Sequence, residues 1–239
     1  MRAEAIPVPR RGLDFERLAF ADVSRNFGRR RALSRVTATF EAGTITGLLG
    51  RNGSGKSTLL AIAATILAPS SGAVRYGEST AAQAGADLRR AIGLVAHELH
   101  LYAELTAREN LEFFAALYGL PDPRTAAREG LERANLATRA DDPVAGFSRG
   151  MRQRLSLERA LLHAPRLLLL DEPFTGLDEA SAAALSSRLR SLREQGCITL
   201  VSIHDRAQAA RLVDRALILQ DGRLLRIEED PRRIGEPES

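Results

Sequence analysis

The sequence predicts an α/β protein built on a largely parallel sheet, and three observations carry that reading. The first is the stretch Gly50-Arg51-Asn52-Gly53-Ser54-Gly55-Lys56-Ser57-Thr58. It lies between the β-branched and apolar run Thr44-Ile45-Thr46-Gly47-Leu48-Leu49 and a helix-like run over residues 57–64, so strand, glycine-rich loop and helix follow one another. The second is Leu167-Leu168-Leu169-Leu170-Asp171, an unbroken apolar run ending in an acid, the pattern of a central parallel strand buried on both faces. The third is alternation: helical patterns over residues 181–192 and 207–212 enclose a strand pattern over residues 197–203.

The remaining elements follow in chain order. Residues 1–15 are rich in proline and arginine and read as a mobile lead-in. Residues 18–23 and 32–40 read as strands around a turn at Phe27-Gly28-Arg29-Arg30. The helix after the glycine-rich loop ends near Pro69-Ser70-Ser71-Gly72, and residues 73–77 form a short strand closed by glycine. From about residue 88 to 159 the signal is mainly helical. Thr106 and Glu109 have capping-box spacing, and Gly119 with Pro121 stops the helix that they open. The aromatics of that helix have core spacing, and residues 125–135 make a second helix. Residues 216–225 read as a hairpin through Asp221-Gly222, and residues 228–239 as a charged tail.

The glycine-rich stretch matches G-x-x-x-x-G-K-[ST], the Walker A pattern. Its glycines let consecutive N–H groups turn inward on an anion. Lys56 brings a compact positive charge to β- and γ-phosphates, and Ser57 offers a hard oxygen suited to Mg²⁺. The following helix points its N-terminus at the phosphates. Asp171 emerges at the carboxyl edge of the sheet, where it can hold Mg²⁺ through water, and Glu172 stands ready to polarise a water. His204, directly after a strand, lies at the same edge.

Composition narrows the class. The chain has 239 residues, 44% hydrophobic and 27% charged, which suits a globular protein with one sizeable core. No run approaches the ~20 apolar residues of a membrane span, and the N-terminus lacks the apolar stretch of a secretory signal, so a cytosolic protein is expected. Cys197 is the one cysteine and reads as a buried structural thiol. The net charge of +4 and the short arginine clusters Arg29-Arg30-Arg31 and Arg149, Arg152, Arg154 read as a solvated basic surface.

With Phe147-Ser148-Arg149-Gly150-Met151, residues 167–173, Gly176-Leu177-Asp178 and His204 in this order, the chain from about residue 18 to 225 resembles the ATP-binding cassette (ABC) ATPases. That resemblance implies a P-loop NTPase fold: a RecA-like parallel-sheet core, an N-terminal antiparallel β subdomain and an inserted helical subdomain near residues 98–160. It implies ATP and Mg²⁺ as cofactors, with residues 50–58 on the phosphates and Phe27 stacked on adenine. It also implies Ser148 and Gly150 in the family's L-S-G-G-Q signature, from which Arg149 and Met151 depart. Asp178 matches the acid that bridges two subunits, and His204 the switch histidine. Two cassettes would face each other head to tail, each signature completing the partner's ATP site, so a second copy or a paired cassette is expected. The segment Leu101-Tyr102-Ala103-Glu104-Leu105-Thr106 resembles the permease-contacting region of exporters. An integral membrane permease is therefore the implied partner, with the chain peripheral on the cytoplasmic face of the inner membrane. Residues 64–72, Ala96-His97-Glu98 and the signature look like the haem-exporter ATPase of cytochrome c maturation. A soluble switch on ribosomes or DNA is the alternative, but the paired cassettes or long insertions of such proteins are missing, and no nucleic-acid partner is expected.

One family position is changed. After the strand Ala91-Ile92-Gly93-Leu94-Val95 the family places a glutamine, whose amide oxygen reaches Mg²⁺. Here counting from Ile92 puts His97 in the slot, whereas counting back from Leu105-Thr106 puts Glu98 there. A carboxylate is the harder oxygen ligand, which favours Glu98.

Overall fold

The computed structural model describes residues 12–96 and 98–235. Its first sheet opens with β1 (Arg17–Phe27) and β2 (Arg30–Glu41), paired antiparallel through the turn at Gly28-Arg29. The chain then leaves through β3 (Ile45–Leu49) and helix α1 (Lys56–Ala63). It returns with β4 (Ser71–Tyr76) and β5 (Ser79–Thr80) to complete a sheet of order β2-β1-β4-β5. Next come α2 (Ala81–Arg90), β6 (Ile92–Val95) and a helical layer of α3 (Ala107–Leu117), α4 (Pro123–Arg133) and α5 (Arg149–Leu161). The chain ends with β7 (Leu167–Leu170), α6 (Glu179–Glu194), β8 (Ile198–Ser202), α7 (Arg206–Leu212), β9 (Arg215–Gln220) and β10 (Arg223–Glu228). The second sheet runs β10-β9-β3-β8-β7-β6, parallel except for the β9–β10 hairpin.

The leucine run is central because both faces of that sheet are covered. Leu167 and Leu169 face the core shared with the antiparallel sheet and α1, while Leu168 and Leu170 face the core under α5, α6 and α7. Each such burial is worth roughly 1.5–3 kcal/mol, which outweighs the absence of polar alternation. The helical layer has its own core around Leu111, Leu131, Leu136 and Leu155. Helix α5 belongs to both, since Leu157 and Leu161 pack under the sheet. It lies close to β6 because Gly93 has no side chain: an added Cβ would fall 2.5 Å from the carbonyl oxygen of Ala160.

Three expectations change. Of the lead-in, residues 1–11 lie outside the described residues, but Phe15 is buried edge-on against Tyr76, 5.6 Å between ring centroids. Buried Arg166 holds this segment through Phe15 O, Asp14 and Glu16. The tail is shorter than expected, because residues 231–235 form a 3-10 turn that buries Ile234 beside α7. Helix α2 went unread in the sequence because only Leu88 of its ten residues is buried and Gly85 breaks its dihedrals. A Thr80–Gln83 capping box starts it.

His163 couples the helical layer to β6. Its Nε2–H donates to the Ile92 carbonyl at 3.0 Å, and its ring lies 4.0 Å from that of Tyr118. Nδ1 is buried without a hydrogen-bond partner, so a proton there would be a buried, unsolvated charge. Burial accordingly pushes the pKa down to about 4. The unfolded chain takes up the proton near pH 6.5 and the folded chain only near pH 4, so stability is full above pH 6.5 and falls between those values. The loss should approach roughly 3 kcal/mol. Urea titrations across this window should show the slope in wild type and a flatter profile in His163→Gln.

Candidate nucleotide site

Three parallel strands, neighbours in the order β3-β8-β7, bring the site together at their carboxyl edge. From β3 the chain enters the glycine-rich loop, from β7 it reaches Asp171-Glu172, and from β8 it reaches His204. The loop turns sharply at Gly50, where φ is 148° and an added Cβ would lie 2.2 Å from the Leu219 carbonyl oxygen. It ends at Gly55, the left-handed N-cap of α1. No side chain caps that helix and its first turn carries no acid, so its free N–H groups suit an anion. The tip of the β9–β10 hairpin holds the loop from behind: Gly222 N donates to Ser54 O at 3.1 Å, and Ser34 N to Gly222 O at 2.7 Å.

Lys56 is 5% exposed. Its ammonium donates to the carbonyls of Gly50 at 2.8 Å and Arg51 at 3.2 Å. Burial lowers its pKa, opposed in part by the carboxylates of Glu172 and Asp171. Phe27, Arg30, Asn52, Gly53, Gly55, Lys56, Ser57, Thr58 and Glu172 line a cleft of about 420 Å³, room for a nucleotide-sized ligand. Phe27 stands at its rim, 45% exposed, with the Arg25 guanidinium 4.7 Å above the ring centroid.

The acidic side of the cleft is tightly arranged. Glu172 has φ 52°, a left-handed conformation that costs a non-glycine residue of the order of 1 kcal/mol. Its Oε1 lies 2.6 Å from Nε2 of His204. Between the two acids sits Ser202: its hydroxyl donates to Asp171 Oδ1 at 2.7 Å and accepts from the Glu172 amide at 2.8 Å. Sequence reasoning missed this residue, whose only signal was a hydroxyl closing an apolar strand. It also passed over Arg30 and Ala32, which line the cleft.

The other expected site residues stand apart. Gly50, Arg51 and Ser54 shape the loop, and with His204 they border a neighbouring hollow behind it. Ser148 and Gly150 are absent from the lining of the cleft; Ser148 N-caps α5, accepting from Met151 N, and Gly150 lies in its first turn. Arg149 lies over Gly176, where an added Cβ would fall 2.8 Å from its Cδ. Asp178 N-caps α6, and its hydrogen bond from Ser181 N, 2.7 Å long, lowers its pKa. Glu98 is exposed and does not line the cleft, and His97 lies outside the described residues. Of the expected metal ligands, the structure places Ser57 in the cleft and Asp171 beside Glu172, without Glu98.

This loop, sheet order and acid pair define a P-loop nucleotide hydrolase. A family model described as "ABC transporter" matches residues 33–175. The chain is 34% identical over 215 residues to the ABC transporter ATP-binding protein NatA of Bacillus subtilis, covering 87% of each. It is 35% identical over 206 residues to the Nod factor export ATP-binding protein I of Burkholderia lata, covering 85% of this chain and 68% of that one. A solved ATP-binding cassette, dimeric in a post-hydrolysis state with ADP and Pi, matches with a TM-score of 0.80 at 28% identity, over 89% of this chain and 98% of that one. The chain belongs to the ABC transporter family as an ATP-binding subunit, and it is an ATPase.

Because Ser202 orients both acids without touching the loop, Ser202→Ala should slow ATP hydrolysis about 10- to 100-fold, the usual effect of removing an orienting hydrogen bond. ATP affinity should stay within about twofold, a change worth only some 0.4 kcal/mol. Steady-state kinetics with equilibrium ATP titration separates the two quantities.

Proposed function

We propose that this chain couples ATP-driven pairing of two cassettes, two copies of itself or one copy and a related chain, to a separate membrane permease, and that the transport is export. The observation that carries the reading is which residues line the cleft. It has the cation, the loop amides and the acid, while Ser148 and Gly150 lie outside it. A second cassette turned head to tail would bring its Ser148 and α5 N-terminus to the γ-phosphate. The dimeric state of the ADP- and Pi-bound cassette supports this, and the export named for the Burkholderia lata relative supports the direction.

In the proposed reaction Lys56 and the loop amides bind the β- and γ-phosphates, and adenine stacks on the open face of Phe27. Glu172 accepts the proton of the attacking water while ADP leaves, and His204, through Nε2–H, keeps that carboxylate aimed. Ser57 and Asp171, with Glu98 drawn in as the cleft closes, would hold Mg²⁺, which supplies charge neutralisation on the phosphates. Hard oxygen donors at Ser57 and Asp171 fit that ion. Among the described residues no helix is long and apolar enough to cross a membrane, which fits a subunit peripheral to a permease on the cytoplasmic face. Haem is the narrower cargo, resting on residues 64–72, Ala96-His97-Glu98 and the signature.

Glu172→Gln should retain ATP binding, lose most hydrolysis and sediment as a dimer in Mg·ATP. A monomer at saturating ATP would refute the half-site reading. In ATPase assays across a Mg²⁺ series, Glu98→Gln should keep activity, whereas Glu98→Ala should lower it and raise the Mg²⁺ requirement. A large loss in His97→Ala with an indifferent Glu98→Ala would move the role to His97.

A further inference from the structure

We propose that Arg25 is the positioning residue of the base-binding ring: it backs Phe27 from the side turned away from the nucleotide, and so sets the affinity for the base and not for the phosphates. This rests on the reading above that adenine stacks on Phe27. Phe27 is the last residue of β1, just before the turn at Gly28, and it lines the cleft with its ring half exposed. A ring in that place has little packing of its own to hold it. Arg25, two residues earlier on the same strand, supplies the missing wall: its guanidinium lies over the ring, 4.7 Å from the centroid. Arg25 is absent from the lining of the cleft, so it covers the far face of the ring and leaves the near face to the ligand.

The guanidinium is itself held. Its Nη1 donates to the Ala68 carbonyl at 2.9 Å, in the segment that follows α1. The same segment is laced to β1 by Ser70, whose amide donates to Ser24 O at 2.7 Å and whose hydroxyl accepts from Asn26 N at 3.1 Å. Arg25 Nε is buried with no hydrogen-bond partner, and among the described residues no carboxylate pairs with the group. With one donor unmet and no counter-charge, the contact that its flat cationic face does make is with the negative π surface of the ring. The ring is thereby fixed before the base arrives, and less side-chain freedom is lost on binding. A cation on one face also draws ring density toward itself, which makes the other face less repellent to an electron-rich purine. Through Ala68 the platform for the base is tied to the far end of α1, the helix whose N-terminus faces the phosphates.

The test is isothermal titration of the full chain with ADP and with inorganic pyrophosphate, which lacks the base, both in Mg²⁺. Arg25→Met keeps an aliphatic stem and removes the charge. We expect it to weaken ADP binding about fivefold, the scale of a cation–π contact, with pyrophosphate affinity unchanged. Arg25→Lys, which restores a cation, should recover much of the loss. In a Phe27→Ala background, where the base has already lost its platform, Arg25→Met should weaken ADP no further. If Phe27→Ala binds ADP as tightly as wild type, the base lies elsewhere and the proposal falls with the reading beneath it. If Phe27→Ala weakens ADP but Arg25→Met does not, the reading stands and the proposal alone is overturned. Equal losses for ADP and pyrophosphate in Arg25→Met, an undiminished loss in the Phe27→Ala background, or a lysine variant as weak as the methionine one would each overturn it too.

Discussion

The buried ammonium of Lys56 is the interaction on which the rest of this site depends. Among the described residues it makes no ion pair; two loop carbonyls hold it in place. A buried cation held only by neutral oxygens keeps much of its electrostatic demand unspent, and burial works against its charged form. Glu172 and Asp171 act on it across the cleft without touching it. An incoming polyphosphate therefore meets a cation that needs no salt bridge broken before it can bind.

That arrangement is possible because the fold separates charges by strand order. Each strand delivers one chemical group at its carboxyl end, and β8 lies between the strand that leads to the cation and the strand that leads to the acids. The last residue of β8 then acts as the spacer, with the Ser202 hydroxyl fixing Asp171 and the backbone of Glu172. The left-handed backbone of Glu172 turns its side chain to His204, so the acid is held by β8 at its amide and by the segment after β8 at its carboxylate. Strain of the order of 1 kcal/mol at one residue is small beside the burial of the leucines that carry it.

The sequence made the fold and the phosphate side of the site readable, because both depend on local patterns. A glycine-rich loop between a strand and a helix, and four leucines before an acid, have few alternative explanations. What it could not show depends on packing across the chain. Arg166 fastens a segment near residue 15 that composition alone marks as loose, and Ile234 finds its place only when α7 and the sheet are present. Ser202 is a strand residue like its neighbours until β7 lies beside it. The slot expected for a glutamine after β6 was ambiguous in the sequence, since two ways of counting gave two residues. The fold leaves Glu98 at the surface and outside the lining of the cleft.

The N-terminus of α5 and the helical layer can be understood as one mechanical element. Helix α5 is capped by Ser148 and ends among residues buried against the sheet, a rod of thirteen residues and so roughly 20 Å. Along it, Leu155 packs into the helical core and Leu157, Ala160 and Leu161 into the sheet core. Arg159 adds a polar fastening, donating to Leu94 O at 2.7 Å with its guanidinium 5.0 Å from the ring centroid of Phe114. Tyr102 and Phe113, both half exposed, pack on that same ring system at the outer surface of the layer. Close-packed side chains are not continuously deformable. A load placed on that outer aromatic face is therefore borne by α5, and a change in the position of α5 is a change in where Ser148 points.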